Sequence, residues 1–194
     1  MSERRALQDQ VASHFSRTEA EATPLSVLVA GLDDFHPVND SLSAELRDRI
    51  LEQFRDAVLS LAGSTYRLRG NIYATLMPGT SAQAAISMAE QLRETVARIA
   101  LTPADEASVS LGVASYPESV ASAAELVYGA QTAMYWVKAI GENRVGYWGD
   151  LVSTERRRVE TPGHGERPVI APDGDSEAKD LDHHRAYQPA LLVR

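Results

Sequence analysis

The chain has 194 residues, of which 44% are hydrophobic, with a formal net charge of -8 and no cysteine. This length suits one domain with a real core plus some tail. The missing cysteines exclude disulfides and thiolate zinc sites, and the net acidity argues against broad binding of nucleic acid or anionic membrane.

Residues 3–16 read as a helix, because Leu7, Val11 and Phe15 recur every four residues. Pro24 breaks the chain, and the β-branched run Leu25–Leu32 reads as a buried strand. A polar loop, Asp33 to Ser43, leads into a helix over about residues 44–61, with Leu46, Ile50, Phe54, Ala57, Val58 and Leu61 on one face. Ser64–Arg69 and Ile72–Met77 are two short extended runs joined by Gly70-Asn71, a pair suited to a tight hairpin. Thr80 and Gln83 read as a capping box for a helix over roughly 81–100, which buries Ala85, Met88, Ala89, Leu92, Val96 and Ile99. Ser108–Ala114 alternates like a strand. Ser122 and Glu125 form a second capping box, for a helix that Gly141 ends, and Arg144–Trp148 is a last short strand. The order α, β-α-β-β-α-β, α-β predicts an α+β fold. Its core is a ferredoxin-like split βαβ unit with an N-terminal helix, an extra helix and an edge strand. The domain is expected over 1–149, with 1–23 as leading helix and linker. Residues 150–194 lose all periodicity and read as a mostly disordered C-terminal tail. No apolar run reaches the length of a membrane span, and Ser2-Glu3-Arg4-Arg5 lacks the apolar core of a signal peptide, so a cytoplasmic protein is expected.

Four pieces, in order and spacing, resemble the diguanylate cyclase (GGDEF) family. The loop after the first strand reads Gly31-Leu32-Asp33-Asp34-Phe35-His36-Pro37-Val38-Asn39-Asp40, continuing to Asp48. It is similar to the family's D-x-D-x-F-K-x-x-N-D-x-x-G-H-x-x-G-D, with Asp33, Phe35, Asn39, Asp40 and Asp48 in register. Ala133–Val145 resembles A-L-Y-x-A-K-x-x-G-x-N-x-V, Val109–Ala114 resembles V-S-I-G-V-A, and Arg4-Arg5-Ala6-Leu7 resembles N-R-x-x-L. The resemblance spans about residues 3–148.

The resemblance implies an enzyme joining two GTP molecules into cyclic di-GMP: a ribose 3′-oxygen attacks the other nucleotide's α-phosphate and displaces pyrophosphate. Such chemistry relies on positioning and on paired Mg²⁺ ions held by carboxylates. In the family the carboxylates come from the first Asp of D-x-D and from an acid of the hairpin. Here those positions are Gly31 and, in the hairpin Arg69-Gly70-Asn71-Ile72-Tyr73, Asn71 and Ile72. The family lysine after Phe35 is His36, and the arginine four residues after Lys138 is Glu142. The inhibitory R-x-x-D positions fall on Ser60 and Gly63, so that site is expected to be lost. Arg69 would either block a close approach that glycine allows or supply a phosphate contact of its own. The resemblance carries nucleotide-binding candidacy onto Asn39, Asp48, Lys138, Phe35 and His36. The plain alternative is an Asx turn at Asn39 and a solvated first-turn acid at Asp48.

Three readings follow. The favoured one is a catalytically inactive domain acting as a regulatory or protein-interaction module, with GTP as a weak ligand and a protein as the expected partner. The second is residual cyclase or other nucleotide chemistry with substituted metal ligands, for which Asp33 and Asp34 are weak candidates. The third is a fold-only interaction protein that binds no nucleotide. Mg²⁺ enters only with nucleotide, neither nucleic acid nor membrane is expected as a partner, and homodimerisation is left open.

Overall fold

The computed structural model describes residues 3–33, 43–99 and 107–160, with side chains described as far as Thr154. Helix α1 (Glu3–Glu21) buries Leu7, Val11, Phe15 and Thr18. Thr18 continues the apolar stripe, and the helix runs five residues past its predicted end at residue 16. Strand β1 (Leu25–Leu32) is buried along its whole length. Helix α2 (Ala44–Leu59) starts at Ser43, whose hydroxyl accepts the Leu46 N–H. Strands β2 (Ser64–Arg69) and β3 (Ile72–Pro78) form the hairpin. Helix α3 (Ala82–Val96) is capped by Ser81, one residue later than the predicted Thr80, because the Ser81 hydroxyl accepts the Ala84 N–H. After β4 (Val109–Tyr116), helix α4 (Ala123–Ala139) is capped by Ser122 as predicted. Strand β5 (Val145–Tyr147) leads directly into α5 (Trp148–Glu160).

Helix α5 departs from the sequence reading, which began an unstructured tail at residue 150. Its start is fixed by a tertiary contact that no local pattern carries. The Trp148 ring lies against α4 so closely that a Cβ on Gly129 would meet it at 2.7 Å, and it stacks edge-on to Tyr128 with centroids 5.9 Å apart. The remainder of the expected tail, 161–194, lies outside the described residues.

The strands form one sheet in the order β2-β3-β1-β4-β5. β1 runs antiparallel to both β3 and β4, and β5 runs parallel to β4. This is the expected ferredoxin-like core, widened by the crossover unit β4-α4-β5. Because side chains alternate along a strand, β1 feeds two cores. Leu28, Ala30 and Leu32 pack with α2 and α3 on one face. Val27 and Val29 pack with α1 and α4 on the other. Gly31 falls on this second face, opposite Ile72 on one side and Ser110 on the other.

The helix–sheet spacing is set partly by Gly112 on β4. A Cβ there would lie 2.0 Å from the Ala130 carbonyl oxygen and 2.3 Å from the Met134 nitrogen, so α4 sits directly on the strand backbone. Gly63 plays the same role where α2 turns into β2: its Cβ would lie 2.5 Å from the Leu76 carbonyl oxygen.

Candidate functional site

β1 ends beside the hairpin turn, the start of β4 and the end of α4, and four segments meet around Asp33. The Asp33 side chain has 0% exposure. Its Oδ1 accepts from Lys138 Nζ at 2.7 Å, and its Oδ2 accepts from the Asn143 backbone N–H at 2.9 Å and from Ser108 Oγ at 3.2 Å. The Asp33 backbone N–H in turn donates to the Ser108 carbonyl at 2.9 Å. A buried carboxylate is tolerated only when its charge and lone pairs are met, and here both are.

The Leu32 carbonyl is the second focus. It accepts from Lys138 Nζ at 2.9 Å and from Asn71 Nδ2 at 3.1 Å. An ammonium has three donors and no acceptor. Lys138 therefore spends two donors inside the protein, with its side chain 20% exposed.

The loop after α4 shapes the other wall. Gly141, Glu142 and Asn143 all have positive φ, at 128°, 53° and 46°. That run turns the Asn143 N–H inward onto Asp33, and asparagine tolerates the left-handed region better than most residues. The Asn143 side chain is used elsewhere, its Oδ1 accepting from Arg93 at 3.3 Å.

The hairpin folds as expected, with Gly70 at φ 50° and the Arg67 guanidinium donating to the Gly70 carbonyl at 2.8 Å. A bulge lies between Arg67 and Arg69. Ile72 is buried and faces Gly31 across the strand pair. Tyr73 points to the opposite face and stacks edge-on to Phe54, centroids 5.7 Å apart. Arg69 is exposed and donates to the Tyr135 hydroxyl at 3.1 Å.

The space beside Gly31 is filled. A Cβ there would lie 3.0 Å from Met134 Sδ, 3.3 Å from Lys138 Cε and 3.4 Å from Ile72 Cγ1. These are the positions from which the resemblance would have carboxylates reach a metal. Glycine, isoleucine and a neutral amide supply no carboxylate, and the adjoining carbonyl already holds an ammonium and an amide. Mg²⁺ requires hard oxygen ligands in near-octahedral array, so the described residues do not fit it. Among the described residues no group of three or more His, Asp or Glu could hold a metal ion. Asp33, a weak metal candidate by sequence, is instead the anchor of an ion pair.

Of the nucleotide-binding candidates, Lys138 is engaged as described and Asp48 is exposed on α2. Phe35, His36, Asn39 and the second weak metal candidate Asp34 lie outside the described residues. Ser60 and Gly63 carry structural duties: the Ser60 hydroxyl donates to the Ala57 carbonyl at 2.7 Å at the end of α2, and Gly63 allows the close approach to the Leu76 carbonyl already noted. Sequence reasoning missed Ser108 and the Asn143 N–H as partners of Asp33. A backbone donor has no residue-type signature, although the Gly-x-Asn run was a signal that the chain turns sharply there.

Two electrostatic features lie elsewhere in the domain. The Tyr147 hydroxyl is buried without a hydrogen-bond partner. Burial raises its pKa above 10.0, and the charges of Glu118 and Asp150 reinforce that rise. At the start of α2, the backbone N–H groups and the Ser43 hydroxyl hold the Glu45 carboxyl below its usual value.

A family model described as diguanylate cyclase, GGDEF domain, matches residues 1–144. Diguanylate cyclase A of Treponema denticola is 31% identical over 127 residues, which cover 62% of this chain and 34% of that protein. An uncharacterized protein, YhcK, of Bacillus subtilis is 32% identical over 137 residues, covering 66% of this chain and 38% of that one. The chain thus spans little more than a third of the length of these relatives. Among solved structures, the GGDEF domain of DgcB from Caulobacter crescentus, in complex with c-di-GMP, superposes with a TM-score of 0.67 at 22% identity, covering 75% of this chain and 90% of that one. Diguanylate cyclase SiaD of Pseudomonas aeruginosa, in complex with its activator SiaC, gives a TM-score of 0.63 at 22% identity, covering 74% and 57%.

Proposed function

The chain belongs to the GGDEF family, and from that membership we propose that it is a catalytically inactive cyclase-like domain, serving as a regulatory or protein-interaction module with at most weak affinity for GTP. One observation carries the reading. The two strand positions that face each other at the reaction centre, Gly31 and Ile72, are a glycine and a buried aliphatic side chain. Joining two triphosphates brings several negative charges into one small cleft, and phosphoryl transfer depends on neutralising them. Among the described residues this cleft offers no carboxylate pair to hold the neutralising ions. Lys138 is already paired with Asp33.

SiaD, a structural neighbour, is bound to an activator protein, and DgcB to c-di-GMP. No described helix is long and apolar enough to cross a membrane, and we place the protein's action in the cytoplasm. Asn39 and Asp48 are the residues through which guanine would be read, by hydrogen bonds to its Watson–Crick edge.

The test is a long incubation of the full chain with GTP and either Mg²⁺ or Mn²⁺, followed by chromatography. No cyclic dinucleotide and no pyrophosphate above the protein-free control is expected; either product would overturn the reading and favour residual cyclase activity. Calorimetric titration of GTP into the wild type and into Asn39→Ala then separates the two inactive versions. Heat that the substitution abolishes supports nucleotide binding, and no heat from the wild type leaves an interaction protein alone.

A further inference from the structure

We propose that Lys138 is the resident cation of this cleft, a tethered ammonium that occupies the place of a divalent ion and makes the site independent of metal. The inference rests on reading the cleft as a cyclase-type site that has lost its acids.

Three observations converge on it. First, the Lys138 ammonium is held by oxygens alone, Asp33 Oδ1 at 2.7 Å and the Leu32 carbonyl at 2.9 Å. A carboxylate and a backbone carbonyl are the hard-oxygen set that a divalent cation also selects. Second, the lysine stem runs close beside Gly31. A Cβ at that position would stand 3.3 Å from Lys138 Cε and 3.0 Å from Met134 Sδ. A carboxylate side chain there would contest the same space. The lysine belongs to the family's motif, and what is particular to this chain is that no acid stands beside its stem. Third, the charge closes. Asp33 is fully buried and Lys138 supplies its countercharge, while the Asn143 N–H and the Ser108 hydroxyl occupy the other carboxylate oxygen. A divalent ion added to this arrangement would face an ammonium at about contact distance, a repulsion that a site of low dielectric does not screen.

The arrangement also predicts a latent site. Removing the ammonium leaves the Asp33 carboxylate and the Leu32 carbonyl facing a small polar gap, with Asn71 able to offer its amide oxygen after a half-turn. Hard-oxygen chemistry of that kind takes Mg²⁺ or Mn²⁺.

The experiment is a Mn²⁺ titration of the full chain followed by water-proton relaxation, on the wild type, Asp33→Asn and Lys138→Ala. For the wild type, no Mn²⁺ binding that Asp33→Asn removes is expected; such binding would overturn the proposal. For Lys138→Ala, Mn²⁺ affinity should rise by about tenfold or more, since the ammonium no longer repels the ion. A folded Lys138→Ala chain with unchanged affinity would also overturn it. If that variant fails to fold, the wild type decides alone through ¹H–¹⁵N spectra of lysine ammonium groups. One slowly exchanging ammonium signal, absent from Lys138→Arg and Asp33→Asn, is expected; none overturns the assignment. The readout is ion binding and not turnover. An inactive chain that nonetheless binds Mn²⁺ through Asp33 would sink this inference and leave the proposed function standing.

Discussion

The Asp33–Lys138 pair should behave as a strongly coupled unit in a double-mutant cycle. Lys138→Met keeps an unbranched stem beside Gly31 but leaves a buried carboxylate without its countercharge. Removing one partner of a buried pair costs about 3–5 kcal/mol. Lys138 is 20% exposed and Asp33 Oδ2 keeps its two donors, which points to the lower end, about 3 kcal/mol. Asp33→Asn should cost about 2 kcal/mol, because one of the two donors on Oδ2 or the ammonium must then face an amide N–H. In the double variant no charge is stranded, and the loss should be near 2–3 kcal/mol rather than the sum, a coupling of about 2 kcal/mol. The assay is equilibrium urea unfolding followed by far-ultraviolet circular dichroism, with Trp136 and Trp148 fluorescence as a second probe. Losses that add to within about 0.5 kcal/mol would refute the reasoning, since independent sites add to that accuracy.

Three further outcomes are expected. Gly112→Ala should lose about 3 kcal/mol or more, because its Cβ would collide with the backbone of α4 at 2.0 Å, whereas Gly31→Ala, which meets only the ends of flexible side chains, should lose about 1 kcal/mol; equal losses in urea unfolding would contradict the geometry. Burial lifts the Tyr147 pKa above 10.0 in the folded chain, so its contribution is fully present below the unfolded value and is lost as pH rises through the folded one. The melting temperature of wild type should therefore fall on the alkaline side relative to Tyr147→Phe, and parallel curves for the two would show that the phenol is not so perturbed. Ser122→Ala should lose about 1 kcal/mol by uncapping α4, where the hydroxyl accepts the Glu125 N–H; calorimetric melting gives the value, and no change would mean that Glu125, bonded to the Ala121 N–H at 2.8 Å, caps the helix without help.

Much of the fold was legible because local and global signals agree. The apolar stripes of α2 and α3, the Gly70-Asn71 turn and the Ser122 cap each name their element unaided, and the strand order follows from the βαββαβ pattern. Helix α5 was not legible, since its anchor is the packing of Trp148 on Gly129, residues nineteen apart in sequence. The site was legible as a set of losses. Gly31, Asn71, Ile72 and Glu142 could be seen to lack the family's charges, but the sequence could not say what fills the gap. Lys138 read as a surviving nucleotide-binding residue because its residue type was unchanged. Only the three-dimensional path of its stem, past a missing Cβ, shows the ammonium turned inward onto Asp33.

The two ends of the sheet carry a consequence for how another protein could be met. β2 presents Arg67 and Arg69 with a bulge between them, and β5 is three residues long. Charged side chains, irregular pairing and short length are the features that stop an incoming strand from zipping onto an edge. Neither end of this sheet is a template for β-augmentation, by another copy or by an extended peptide. Recognition is thereby pushed onto helix surfaces and onto the rim where Arg69 meets Tyr135, and aggregation through strand pairing is discouraged by the same means.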